Sequence, residues 1–309
     1  MPHTVAPSVP SAQSVAASQH CVLACIDGSH ITSFVCDYAA WYAQKLNLPI
    51  TLLHVVHSPK SSRHDLSGTI GMDSRQSLLY ELTRLDEETA RLTLKHGEAL
   101  VRDAKTQVLN SVAYSDDIEV YTHLRHGKLL SAIEHFASKT RLVIMGRRSA
   151  DHQHEYVNIG SHIESVARTI QQPILVCSEA FTAPSSYMLA FDGSPTAIKA
   201  VQMICDSDLS RGTQGYLVMV GNHFQSREDS LYEAQRQLVA AGLAVTVHLF
   251  SSKQHSDNVV KTLTTFQREH DISMIIIGAY GHAKWRRFFV GSTTTELLAQ
   301  THVPVLLLH

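Results

Sequence analysis

The sequence predicts an α/β chain of two tandem domains, each built on a doubly wound, five-stranded parallel sheet. Three observations predict it. At 309 residues the chain exceeds the length at which one core usually stops growing. It also repeats itself: "VLACIDGSHITSFVCDYA" at 22–39 echoes "YMLAFDGSPTAIKAVQMI" at 187–204. Within each copy, short β-rich apolar runs alternate with longer segments of helical period, a pattern that right-handed crossovers turn into a parallel sheet covered on both faces.

Residues 1–19, "MPHTVAPSVPSAQSVAASQ", hold no Lys, Arg, Asp or Glu and no continuous apolar run. They lack the cationic start and apolar middle of a signal peptide and read as a disordered tail. The first copy, 20–180, has strands expected near 20–27, 49–56, 117–124, 141–146 and 174–178, where apolar and β-branched residues are concentrated between turn signals. Its helices are expected near 30–45, 75–110, 127–138 and 160–171. The longest carries Leu78, Leu82, Leu85, Leu92 and Leu100 at spacings that predict one buried face. "AFTAPSS" at 180–186 is a short linker. The second copy, 185–309, has strands expected near 186–191, 214–220, 244–250, 272–277 and 304–308. Its helices are expected near 195–206, 226–241, 255–269 and 292–301.

The chemistry concentrates in "MIIIGAYGHAKWRRFFVGSTTTELLAQTHVPVLLLH", 274–309. In a doubly wound sheet, ligands bind beyond the carboxyl ends of the strands, where strand order reverses. Gly278 ends an apolar strand there, and Gly281 lets the backbone turn with its N–H groups exposed. Gly291, Ser292 and Thr293 then open a helix, whose free N–H groups and positive dipole end attract an anion. Asp192 closes the first strand of the same copy, where its carboxylate can accept from a ribose or a base edge. Lys284, Arg286 and Arg287 lie between the glycines and can offset phosphate charge. Each feature alone is ordinary turn or N-cap chemistry. Together, with a strand before and a helix after, they point to a nucleotide.

These residues resemble the universal stress protein family in its tandem form, over nearly all of 20–309. The family's ATP-binding signature, Gly-x2-Gly-x9-Gly-Ser/Thr, is matched by Gly278, Gly281, Gly291, Ser292 and Thr293. By the same resemblance Asp192 is the acidic residue after the first strand, Val220 stands beside the adenine, and Ile277 precedes the first glycine. The resemblance implies a Rossmann-like, HUP-type sheet with its first and fourth strands adjacent. It further implies a stress-response protein holding ATP, ADP or AMP, with or without Mg, and two copies packed through their last strands as a pseudo-dimer. Whether the whole chain forms a homodimer is left open. The first copy departs from the pattern: Asp27 and Gly146 are kept, but Ser149 stands for the second glycine, and Gly160 and Ser161 come one residue late. It is expected to bind nucleotide poorly or not at all.

Composition narrows the function further. With 44% hydrophobic and 17% charged residues, and Lys+Arg 26 against Asp+Glu 28, the chain carries no polyelectrolyte surface for nucleic acid. "KWRRFF" around Trp285 is too short a patch to change that, and Phe288, Phe289 and Val290 are expected to close the loop onto the core. No run reaches the roughly 20 apolar residues of a membrane span, and a cytoplasmic protein is expected. Five Cys are expected as buried thiols, since Cys21 and Cys25, roughly 13 Å apart in one strand, are beyond disulfide reach. Twenty His include His152 and His154 in "DHQHE", and His64 beside Asp65, but neither pair has further ligands at zinc spacing, so no metal is assigned. A slow ATPase or self-phosphorylating protein is an alternative, although no Gly-Lys-[ST] follows the glycines and no obvious base stands within the motif. A nucleotide-independent scaffold is another, motivated by the altered first copy.

Overall fold

The computed structural model describes residues 20–56, 72–111, 117–147, 161–221, 227–251, 258–278 and 293–308, with backbone alone at 72–79, 161 and 293. In the N-terminal half, β1 (Cys21–Ile26) is buried along its whole length, as an uncharged apolar run requires of a central strand. It is followed by α1 (Thr32–Leu46), β2 (Ile50–Val56), α2 (Met72–Asn110), β3 (Val120–His126), α3 (Leu129–Phe136), β4 (Thr140–Gly146), α4 (Ser161–Thr169) and β5 (Ile174–Cys177). The C-terminal half repeats the order: β6 (Ser186–Ala190), α5 (Pro195–Cys205), β7 (Gln214–Gly221), α6 (Glu228–Ala240), β8 (Val245–Ser251), α7 (Val259–Glu269), β9 (Ile275–Gly278), α8 (Thr293–Gln300) and β10 (Val305–Leu308).

The two predicted sheets are joined into one of ten strands, ordered β3-β2-β1-β4-β5-β10-β9-β6-β7-β8. Every neighbouring pair is parallel except at the centre. There β5 and β10 run antiparallel, with Ile174, Leu175 and Val176 opposite Leu307, Leu306 and Val305. The strands of the two halves therefore point in opposite directions, and their carboxyl ends lie on opposite edges of the sheet. Helices α1, α2, α5 and α6 cover one face over a core that includes Tyr38, Tyr42, Tyr187 and Leu231. Helices α3, α4, α7 and α8 cover the other over Ile133, Val166, Leu263 and Leu297.

Side chains cross the seam between the halves. The Tyr42 hydroxyl donates to the Met274 sulfur at 3.0 Å, and the Arg147 guanidinium donates to the carbonyls of Thr301 and Val303. The Tyr38 hydroxyl donates to the Ala180 carbonyl at 3.1 Å, and its ring meets Phe181 edge-on, so the linker is packed onto α1.

Two expectations are corrected. Three of the leucines expected on the buried face of α2 are not there: Leu82, Leu85 and Leu92 are 36%, 57% and 61% exposed, whereas Leu100 is partly buried against the core and Leu78 is described in backbone alone. The face laid on the sheet is instead Gly97, Val101, Ala104 and Val108, where small residues allow close approach; a Cβ on Gly97 would lie 2.9 Å from Leu124 Cδ1. Gly97 meets Val56, the last residue of β2, so the helix N-terminal to it runs past the carboxyl edge of the sheet. The second correction is the start of β9, at Ile275 rather than 272. Ser273 is taken out of the ladder by Ser186: its N–H donates to Ser186 Oγ at 3.0 Å, and its hydroxyl to the Ser186 carbonyl at 2.8 Å. Four cysteines are buried and Cys205 is half-buried, all as free thiols. No described helix is long and apolar enough to cross a membrane.

Candidate functional site

In the C-terminal half, β6 lies between β7 and β9, and strand order reverses at that point. Beyond the carboxyl ends of these strands is a cavity of about 160 Å³. Its floor comes from Ala190, Val218 and Ile277, its rim from Asp192, Val220 and Gly278, and its walls from Ala197 of α5, Val259 and Leu263 of α7, and Thr294 and Leu297 of α8. Four residues singled out in the sequence, Asp192, Val220, Ile277 and Gly278, are thus gathered around one space. Thr293 opens α8. Gly281, Gly291 and Ser292 lie outside the described residues, as do Lys284, Arg286, Arg287 and the segment Trp285 to Val290.

Local chemistry sets the Asp192 carboxylate. Gly193 adopts φ +74°, which a side chain would resist, and the chain then turns sharply into α5. Ser194 caps that helix, its Oγ accepting from Ala197 N at 3.1 Å, with Pro195 in the first turn. The serine hydroxyl is committed to the helix. Among the described residues, Asp192 accepts one hydrogen bond, from Ser194 N at 2.9 Å. A carboxylate has room for about four acceptor contacts, so Asp192 keeps capacity for a ligand. Gly278 is demanded by packing: a Cβ there would stand 3.1 Å from the Thr196 carbonyl group and 3.2 Å from Ala197 Cα.

The corresponding place in the N-terminal half is a smaller cavity of about 70 Å³, lined among others by Cys25, Asp27, Ser29, Thr32, Val55, Met145, Gly146, Arg147 and His162. Asp27 is placed as Asp192 is, but its Oδ1 is taken up internally. It accepts from Ser29 N at 3.0 Å, Ser29 Oγ at 2.7 Å and Thr32 Oγ1 at 3.2 Å. Leu100 of α2 crowds the same turn, its Cδ1 filling the space that a Cβ on Gly28 would need. Burial, and secondarily the Asp27 carboxylate, pushes the Cys25 thiol up to about 12. Ser161 opens α4, while Gly160, Ser149, His152, His154, His64 and Asp65 lie outside the described residues.

The sequence did not single out Ala197, Val259, Leu263, Thr294, Leu297 or Arg147 for the site or the seam. Val259 and Leu263 stand four apart on α7 and read as an ordinary core face. Arg147 reads as a loop cation until the partner half is folded against it.

Comparison with known proteins agrees with this architecture. The model of the universal stress protein family matches residues 20–178 and 187–309. A relative, universal stress protein Slr1230 of Synechocystis sp. (strain ATCC 27184 / PCC 6803 / Kazusa), is 28% identical over 290 residues, covering 92% of this chain and 98% of that protein. The crystal structure of a universal stress protein from Archaeoglobus fulgidus DSM 4304 shares the fold with a TM-score of 0.63 at 17% identity, over 93% of this chain and 95% of that one. A putative universal stress protein from Pseudomonas aeruginosa UCBPP-PA14 aligns with a TM-score of 0.55 at 14% identity, over 94% and 93% of the two chains. With both of its halves matched, this chain belongs to the universal stress protein family.

Proposed function

We propose that the C-terminal half binds an adenine nucleotide, ATP, ADP or AMP, and that the protein serves as a regulatory binding module of the stress response. One observation carries the reading. The cavity at the strand-order switch is apolar on its floor and walls, and carries at its rim a carboxylate with acceptor capacity to spare, Asp192. That is the surface a nucleoside fits: an aromatic base against Val218, Val220 and Ile277, and ribose hydroxyls donating to an acidic side chain. The glycine motif from Gly278 through Gly291 to Ser292 and Thr293 supports phosphate binding at the start of α8. The N-terminal half serves as structural support, its Asp27 turned inward by Ser29 and Thr32.

The test is acid extraction of the purified protein, with identification of any released nucleotide, beside the variant Gly281→Val, Gly291→Val. One adenine nucleotide per chain, lost in the variant, is the expected result. A wild-type protein that is empty and ignores added ATP at millimolar concentration would make the motif a turn and the protein a scaffold.

A further inference from the structure

The two cavities lie on opposite edges of the sheet, and α8 runs from one edge to the other. Thr294 and Leu297 line the C-terminal cavity, and the helix ends at Gln300, about 9 Å beyond Thr294 and about 4.5 Å beyond Leu297 at 1.5 Å per residue. Just past that end, the Thr301 and Val303 carbonyls accept from Arg147 Nη1 and Nη2, the latter at 3.2 Å. Arg147 follows Gly146, lines the N-terminal cavity, and is only 8% exposed. A guanidinium at the negative end of a helix is favoured by the dipole, and its planar fork fixes two carbonyls at once. Past the end of α4, Gln172 donates to Ala137 of its own half at 2.8 Å.

We propose that Arg147 is a positioning residue through which the N-terminal half sets the nucleotide affinity of the C-terminal cavity. Because α8 is a single rigid helix of two turns, fixing its far end fixes the placement of Thr294 and Leu297 against the ligand. The altered first copy thereby acquires a role, since the side chain that lines its own cavity holds a wall of the other. This rests on the nucleotide reading of the C-terminal cavity.

The experiment is ATP titration of the full chain by calorimetry for wild type, Arg147→Met, Arg147→Lys and Tyr38→Phe. The last removes different contacts, the hydroxyl bonds to Ala180 and Ser178, as a structural control. The expected result is about tenfold weaker binding in Arg147→Met, an intermediate value in Arg147→Lys, and wild-type affinity in Tyr38→Phe even where its melting temperature falls. Should Arg147→Met fail to fold, Arg147→Lys carries the comparison. Wild-type affinity in the folded Arg147 variants would overturn the proposal. If the wild type itself takes no ATP, the nucleotide reading falls and the affinity claim with it, and hydrogen exchange on the empty proteins decides whether Arg147 positions α8. Faster exchange along α8 in the Arg147 variants than in Tyr38→Phe upholds it, and equal exchange overturns it.

Discussion

Tyr42 in α1 and Met274 before β9 meet across the seam, hydroxyl to sulfur at 3.0 Å, and Tyr42 is fully buried. The two halves also share one continuous ten-stranded sheet, so they are expected to unfold together. Tyr42→Phe keeps the ring and removes one weak hydrogen bond, so it is expected to cost about 1 kcal/mol. Met274→Ala opens a cavity against both halves and is expected to cost about 3 kcal/mol. Chemical denaturation checks both values, and a single transition shifting as one unit is the expected form.

The two aspartates are expected to separate by role. Asp192→Ala leaves the described core intact and should weaken adenine-nucleotide binding at least about tenfold, since hydrogen bonds to a charged acceptor contribute about 1.5–3 kcal/mol each. Asp27→Ala should leave nucleotide affinity unchanged. It should instead lower stability by about 1–2 kcal/mol, as Ser29 and Thr32 lose their shared acceptor. Calorimetric titration and thermal melting of both variants read the two effects independently.

Gly278→Ala places a methyl group 3.1–3.2 Å from the backbone of Thr196 and Ala197. That backbone opens α5 and cannot rotate away as a side chain could. A loss of about 1–3 kcal/mol is expected, together with weaker nucleotide binding as α5 is pushed off the rim. A variant as stable as wild type, measured by thermal melting, would show that the approach relaxes without cost.

The pH dependence has a definite sign. Burial, and then the neighbouring His270, hold the His248 imidazole below its ordinary value. Burial followed by Arg125 and His135 does the same to His123. A lowered folded-state value means that the unfolded chain takes up the proton first. These rings therefore add stability above about pH 6.5 and lose it as pH falls through their folded values. His248 packs on Phe266 at 4.7 Å between ring centres, so His248→Phe preserves an aromatic stack without the charge. The melting temperature is expected to fall less between about pH 7.5 and about pH 5.5 in this variant than in wild type. An equally steep fall would remove His248 from the account.

What was legible in the sequence is what depends on neighbours along the chain. Asp192, Gly193 and Ser194 form a strand-to-helix turn from local chemistry alone, and the echo at Asp27, Gly28 and Ser29 made the duplication visible. Gly278 was legible as the end of a strand, though its packing reason lies in Thr196, far away in sequence. Arg147 was not legible, because its acceptors are more than a hundred and fifty residues distant and belong to the other half. Three leucines of α2 depart from the expected buried face for a related reason. Periodicity reports which residues share a helix face, and Leu82, Leu85 and Leu92 do, but the sheet ends at Val56 before it can cover them.

The antiparallel join of β5 to β10 has a further consequence. With only the connection from 178 to 185 between them, the halves meet at an effective concentration on the order of millimolar, so dilution cannot part them. A twofold dimer of separate chains must make every contact twice, residue i on j and j on i from one and the same surface, whereas here Ile174, Leu175 and Val176 meet a different set, Leu307, Leu306 and Val305. Covalent fusion thereby releases the two copies from symmetry, and each is free to specialise while the other keeps it folded.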